Sequence, residues 1–197
     1  MACRLTLSTF ADLATGTVSR MAQVVLSRVR NADDAAAAEP LLRDYVNWGR
    51  HALYRDHGID LDDDAVEAIH SSFRDNWTNL FTTVGRFYLA TTAGLPVGLG
   101  ALKPIRDDVA ELKRLYLDPS FRGRGVGRMI VTTLLEEARL IGYSTVRLDT
   151  MYFMTDAREL YLKMGFVDTE PFPGEAAGIG VADHARYMAR HISAGPT

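Results

Sequence analysis

The spacing of hydrophobic and polar residues changes its period several times along this chain. Residues 24–30 are rich in β-branched side chains and predict a strand. Apolar residues then recur at helical spacing in two stretches, which end near residue 81 and predict two amphipathic helices. After Gly85 the period shortens to that of a strand, and three consecutive strands are predicted at 86–92, 95–104 and 109–118.

Helical and strand periods alternate in the rest of the chain. The apolar stripe from Val126 to Ile141 predicts a helix that Gly142 ends. The remaining elements are predicted as a strand at 143–150, a helix at 155–164, and strands at 166–169 and 185–192. Because hairpins in the middle combine with one strand–loop–helix–strand crossover, the sequence predicts a mixed α/β (α+β) layer fold rather than a doubly wound sheet.

Polar residues indicate where the first two helices begin. Asn31 is a candidate cap for the first helix, and Pro40 either lies near its start or marks its true beginning. The acidic run 60–64 precedes the second helix and is most simply its cap, although it would also attract a cationic substrate.

Composition narrows the class of protein. The chain has 197 residues, of which 47 % are hydrophobic and 24 % charged, and this favours one globular domain over residues 23–193. Residues 1–22 lack clear periodicity and are predicted to be a loose tail, with Met21 as an alternative translation start, and 194–197 form a short second tail. A net charge of −3 argues against a nucleic-acid partner.

Two further features concern the compartment. Cys3 is the single cysteine, so it can form neither an internal disulfide nor a cysteine metal cluster, and a cytoplasmic location is expected. No apolar run reaches the ~18 residues that span a bilayer, so no membrane association is expected.

The five histidines are scattered without ligand spacing, and no metal site is predicted.

A glycine- and arginine-rich loop at 122–128 carries the clearest chemical signal. Its glycines allow main-chain amides to approach a ligand, and the helix that follows adds a partial positive charge. Arginine side chains can pair with phosphate oxygens, so a diphosphate is the natural ligand, and the alternative is a glycine-rich turn with solvated arginines. The loop lacks the Gly-Lys-Ser/Thr ending of a P-loop, and Arg128 stands where a dinucleotide fingerprint needs glycine.

Three segments resemble the GNAT N-acetyltransferase superfamily. Arg122-x-x-Gly125-x-Gly127 is similar to its acyl-CoA signature, residues 111–119 resemble the preceding strand, and 160–166 resemble its Leu-Tyr-x-x-x-Gly-Phe ending. The resemblance covers roughly 23–193. It implies a mostly antiparallel sheet of about six to seven strands flanked by about four helices, and acetyl-CoA-dependent transfer to a primary amine by direct attack in a ternary complex.

The resemblance also implies a set of coenzyme-binding residues. Leu115 and Leu117 would act through their main-chain groups, and the loop would hold the diphosphate. The loop residues are Arg122, Gly123, Arg124, Gly125, Val126, Gly127 and Arg128. Many relatives carry an asparagine where this chain has Met154, so that contact with the pantetheine arm should be absent or replaced.

Three side chains are candidates for acid–base chemistry under this resemblance. Tyr161 is the candidate general acid, because a phenol with a pKa near ~10 keeps its proton at neutral pH, and the alternative is a core tyrosine. Glu111 is the candidate base, directly or through water, and the alternative is an ion pair with Lys113 on the same strand face. Asp149 is a weaker substitute for Glu111.

The acceptor remains open at this stage. It could be a small molecule or a protein amine, and residues such as Tyr45, Trp48 and 62–64 could shape its site. Two alternatives to acetyl transfer remain: an acyl-CoA-binding sensor without turnover, and an acyltransferase that uses a longer acyl-CoA or a hydroxyl acceptor. Homodimers are common in the family that the chain resembles.

Overall fold

The structure, a computed structural model, describes residues 23–173 and 182–192. The predicted tails at 1–22 and 194–197, and Cys3 with them, lie outside the described residues. No helix within the described stretches is long and apolar enough to cross a membrane.

The elements follow one another in the predicted order. The strands in the described residues are Val24–Val29 (β1), Arg86–Thr92 (β2), Leu95–Arg106 (β3), Val109–Leu117 (β4), Thr145–Met151 (β5), Val167–Asp168 (β6) and Ala185–His191 (β7). The helices there are Ala32–Ala36 (α1), Glu39–His57 (α2), Asp63–Leu80 (α3), Val126–Ile141 (α4) and Thr155–Lys163 (α5). The predicted mixed α/β class is confirmed.

The first predicted helix is in fact two helices. Asn31 caps α1 as expected, because its side-chain Oδ1 accepts a hydrogen bond from the amide of Asp34 at 2.8 Å. The chain then turns at residues 37–38, and Pro40 lies in the first turn of α2. Proline is tolerated there because the first amides of a helix have no partner within the helix, so Pro40 marks the true beginning of the longer helix.

The strands form one seven-stranded sheet in the order β1-β2-β3-β4-β5-β7-β6. All neighbours are antiparallel except β4 and β5. These two pair at three positions only, the last being Glu111 with Arg147, although β4 continues to Leu117 and β5 to Met151. The sheet therefore splits between its central strands and leaves a cleft.

Helices cover both faces of the sheet. On one face α4 and α5 contribute to a core that contains Ile130, Leu134 and Tyr161, and on the other face α1, α2 and α3 pack over Leu99 and Tyr116. A Cβ at Gly100 would lie 2.6 Å from Ile130 Cγ2, so glycine is required there for α4 to approach the sheet. The core under α4 and α5 also includes residues of β5 and β7, so it continues across the split between β4 and β5.

Candidate functional site: a cleft between two splayed strands

The predicted loop at 122–128 follows β4 after a short 3₁₀ turn at Pro119–Phe121, and its last three residues, 126–128, form the first turn of α4. Gly123 and Gly125 have φ angles of +71° and +80°, the left-handed region that favours glycine. Nothing lies within 4 Å of a Cβ built at either glycine, so these residues are needed for the loop conformation rather than for packing. Gly125 is the N-cap of α4, and no side chain accepts a hydrogen bond from the first amides of the helix there. These amides are the groups that bind an anion at a helix N-terminus.

Gly127 has a different reason to be glycine. A Cβ at this position would approach side-chain atoms of Leu117 and Leu160 at 3.3 Å, so the small residue lets α4 pack closely against β4 and α5. Val126 is buried beside it. The second half of the loop is therefore a packed helix start, whereas the first half is open to solvent.

The loop arginines are exposed, and two of them lie over aromatic rings. The guanidinium of Arg122 is 5.2 Å from the ring centre of Trp48 and 5.9 Å from that of Tyr116, and Arg124 lies 5.4 Å from that of Phe121. Cation–π contacts of this kind restrict the arginine side chains. Through Trp48, the predicted diphosphate loop contacts helix α2 of the opposite layer.

The split in the sheet opens into a cavity of about 110 Å³. Leu115 lines it, whereas Leu117 lies outside it and packs against the glycines at 98 and 127. No ladder pair joins the facing edges of β4 and β5 beyond Glu111 and Arg147. An extended ligand could therefore pair with main-chain groups there, which agrees with the predicted position of the pantetheine arm.

A bulge in β4 shapes the wall of this cavity. The register with β3 passes from Leu99 opposite Tyr116 to Ala101 opposite Lys113, so β4 holds one extra residue. Arg114 lies at this bulge with a φ of +60°, which is uncommon for a residue with a side chain, and it lines the cavity. Arg114 is not among the predicted site residues, because no local sequence pattern indicates the bulge.

Four charged side chains link β4 and β5 on the face covered by α2 and α3. Lys113 Nζ lies 2.5 Å from Glu111 Oε1 and 2.8 Å from Asp149 Oδ1. Arg147 contacts Glu111 Oε2 through Nε and Nη2, at 3.2 and 3.1 Å. The ion pair with Lys113, which was the alternative considered for Glu111, is present.

The two candidate base carboxylates differ in their access to the cavity. Asp149 lines the cavity, as does Lys113. Glu111 is only 2 % exposed and is not among the lining residues. Glu111 is therefore buried outside the cavity, where it contacts the lining residue Lys113.

Tyr161 is a core tyrosine that also lines the cavity. It is 5 % exposed and packs edge-on against Phe166 at 5.7 Å between ring centres. Burial, helped by the nearby Tyr45 and Asp149, raises the pKa of Tyr161 above its ordinary value. The phenol therefore keeps its proton over the whole physiological pH range.

The other residues considered for the site differ in whether they line the cavity. Met154 lines the cavity at the start of α5 and makes no side-chain cap, and Tyr45 also lines the cavity, whereas Trp48 and residues 62–64 do not. Asp62 caps α3 by accepting a hydrogen bond from the amide of Ala65 at 2.8 Å. No histidine lines this cavity, and the described residues contain no group of three potential metal ligands.

The sequence of this chain also matches a family of known proteins. The sequence model of the Acetyltransferase (GNAT) family matches residues 46–166, more than half of the chain. The match includes the cleft, the glycine-rich loop and Tyr161.

Individual relatives agree with the family match. The chain is 25 % identical over 146 residues to the uncharacterised N-acetyltransferase YjgM of Escherichia coli K12, which covers 72 % of this chain and 81 % of that protein. It is 35 % identical over 88 residues to the IAA acetyltransferase of Azospirillum brasilense, which covers 44 % of this chain and only 58 % of that protein.

A solved structure shares the fold. The PaiA N-acetyltransferase of Thermoplasma acidophilum, determined in complex with coenzyme A, superimposes with a TM-score of 0.61 at 18 % identity, over 85 % of this chain and 99 % of that one. At this level of identity the likeness concerns the fold alone.

Proposed function

The chain belongs to the acetyltransferase (GNAT) family, and we propose that it transfers an acetyl group from acetyl-CoA to a primary amine by direct attack in a ternary complex. The observation that carries this proposal is that β4 separates from β5 toward its end at Leu117, the residue against which the glycine-rich start of α4 packs at Gly127. One ligand that joins a diphosphate to a long thioester arm would occupy both places.

The coenzyme is held by two parts of the site. Main-chain amides at 123–127 and the side chains of Arg122, Arg124 and Arg128 bind the diphosphate, while the pantetheine arm lies along the free edge of β4. A main-chain N–H near Leu115 donates to the oxyanion that forms on the thioester carbonyl. One such donor is typically worth roughly 3–4 kcal/mol of activation free energy.

The reaction forms a bond between the amine nitrogen and the acetyl carbon, after which the carbon–sulfur bond breaks and its electron pair leaves with sulfur. The acceptor ammonium loses two protons overall. The first passes to solvent through Asp149 before attack, because only a neutral amine is nucleophilic. Tyr161 protonates the departing thiolate, and the second proton of the nitrogen restores the phenol.

Asp149 takes the role of base in this scheme because it lines the cavity, whereas Glu111 is buried outside it. Glu111 then acts as a positioning residue. Its contacts with Lys113 and Arg147 fix the last pair of β4 and β5 before the strands separate.

The first experiment measures thermal unfolding with and without acetyl-CoA. At ~100 times its Kd the ligand should add about 2.7 kcal/mol to the free energy of unfolding, a shift of several degrees. The double variant Arg122→Ala/Arg124→Ala should lose this shift. Arg139→Ala removes a charge from the exposed far end of the same helix and should keep it. No shift of the parent protein at millimolar acetyl-CoA would contradict the proposal.

Release of free thiol in the presence of a panel of amines then separates turnover from mere binding. Thiol release that depends on an amine supports an enzyme, and binding without release for every amine would indicate a sensor. Comparing acetyl-, propionyl- and succinyl-CoA defines the acyl group.

A further inference from the structure

Three cationic residues, Arg50, Lys113 and Arg114, line the cavity, and Asp149 supplies the one carboxylate of its lining. Lys113 is already paired with Asp149 and with the buried Glu111, so the two arginines supply the positive charge of the cavity wall. This charge is opposite in sign to the net charge of −3 of the whole chain. Such a site attracts anionic groups and repels polycations.

Arg50 is placed to exchange its present partner for a ligand. Its Nη1 lies 2.7 Å from Asp63 Oδ1, but the Asp63 side chain is 92 % exposed. Ion pairs with so exposed a partner are weak, because water and salt compete for both charges. The planar guanidinium of an arginine also matches a carboxylate with two parallel hydrogen bonds.

Arg114 contributes an independent observation. It lies on the β4 bulge with a φ of +60° and lines the same cavity. Backbone conformations that a side chain disfavours persist mainly where they aim a group at a functional site. The bulge thus places a second arginine on the cavity wall, next to the strand edge where the thioester is proposed to lie.

The wall between these charges is apolar. The cavity lining includes Leu53 of α2, Leu61 before α3, Ile69 of α3, and Met151 and Phe153 at and after the end of β5. Leu53 and Leu61 belong to one buried cluster, against which Met151 and Phe153 pack. An apolar side chain fits such a wall better than a polar or sugar-like acceptor does.

We infer that the amine acceptor carries a carboxylate beside an apolar side chain, so that the substrate class is apolar amino acids and related aminocarboxylates. The ammonium lies near Asp149, the carboxylate near Arg50 and Arg114, and the side chain on the wall of Leu53, Leu61, Ile69, Met151 and Phe153. This inference rests on the proposed acetyl transfer, and it concerns the acceptor half of the same site.

The test compares acceptors that differ only in the carboxylate. The full-length protein is assayed for thiol release from acetyl-CoA with L-leucine and L-phenylalanine, with their amides, and with 3-methylbutylamine and 2-phenylethylamine. Spermidine serves as the polycationic comparator. The amides have less basic amines and present more neutral nucleophile, so higher activity with the acids reports recognition of the carboxylate. We expect kcat/KM for an acid to exceed that for its amide by about tenfold or more.

Two variants connect this preference to the arginines. Arg50→Gln and Arg114→Gln should each raise KM for the acid about tenfold and leave KM for the amide within about twofold. The acetyl-CoA-dependent shift in Tm should persist in both variants. Arg55→Gln is the matched control, because Arg55 lies on the same helix as Arg50 but is 71 % exposed and does not line the cavity.

The outcomes distinguish failure of the acceptor inference from failure of the proposed acetyl transfer. Equal or better turnover of the amides, the decarboxylated amines or spermidine would overturn the inference while leaving acetyl transfer intact. Acetyl-CoA binding without acetylation of any compound in the panel would also overturn it. Absence of any stabilisation by acetyl-CoA would instead remove the proposed function, and the inference with it.

Discussion

Tyr161 packs its ring against Phe166 while it lines the cavity between β4 and β5. Tyr161→Phe removes the hydroxyl and keeps the ring, so the core should remain packed. If the phenol protonates the thiolate, kcat should fall about hundredfold or more, since general acids contribute roughly that much. Thiol release measures kcat, and the Tm shift with acetyl-CoA, which should be unchanged, serves as the control. Unaltered turnover would remove the proposed role.

The carboxylates of Glu111 and Asp149 can be separated by substitution. Glu111→Gln removes the buried charge that Arg147 contacts and that Lys113 shares with Asp149, so it should lower the free energy of unfolding by about 3 kcal/mol. Asp149→Asn should instead lower kcat and shift the part of the pH–rate profile in which the rate rises with pH. Denaturant unfolding and pH–rate profiles distinguish the two effects.

Glu136→Gln, an exposed carboxylate change on α4, is the control for both substitutions. A parental pH profile for Asp149→Asn, together with a displaced profile for Glu111→Gln, would return the role of base to Glu111.

At the level of elements, one carboxylate attaches α4 to β2. Glu137 accepts hydrogen bonds from Arg86 Nε at 2.5 Å and from the Tyr88 hydroxyl at 2.6 Å. Burial by itself would raise the pKa of Glu137, but the bonds from Tyr88 and Arg86 outweigh it and lower this pKa. The folded state therefore binds the Glu137 proton more weakly than the unfolded state does.

The lowered pKa makes this contribution to stability dependent on pH. Glu137→Gln should lower the free energy of unfolding by about 1–3 kcal/mol at neutral pH. The difference from the parent should stay complete above the ordinary carboxyl pKa of about 4.3 and disappear as the pH falls through the lowered value in the folded state. Urea unfolding of both proteins between pH 7 and acid measures this difference, and a pH-independent difference would contradict it.

The boundaries of the elements show how far local patterns suffice. The end of α4 at Ile141 was predicted from Gly142 and the apolar stripe, because caps and apolar spacing are local properties. Its start at Val126 lies within the predicted loop at 122–128. The bulge at Arg114 was not predicted, and the break at 37–38 was anticipated only by the alternative that Pro40 begins the helix. Both depend on how one element meets another, and no short-range pattern records that.

On the scale of the whole molecule, residues 23–193 should be sufficient for the fold. The sheet begins at Val24, and the amide of Ile192 donates to the carbonyl of Ser144 at 2.8 Å, which anchors the end of β7. A chain limited to 23–193 should unfold within about 3 °C of the full chain and keep its stabilisation by acetyl-CoA. Differential scanning calorimetry of both chains measures this, and a larger loss of Tm or of the ligand shift would show that residues beyond 23–193 support the domain.

Several expectations remain predictions at this scale. The cytoplasmic location, the absence of nucleic-acid and membrane partners, and homodimer formation rest on composition or on the family resemblance. Size measurements in solution would test the dimer directly.

The sequence by itself determined the order of the elements, the glycine-rich start of α4, the family and the candidates Tyr161, Glu111 and Asp149. These follow from spacing within short stretches, where side-chain period and turn residues carry the information. Only the tertiary structure decided that β4 and β5 separate after Glu111 and that Asp149, not Glu111, lines the resulting cavity. Lys113 meets Asp149 across 36 positions of the chain, and Arg50 reaches the same cavity from another layer. Such contacts are set by strand register and layer packing, which join residues that no local pattern relates.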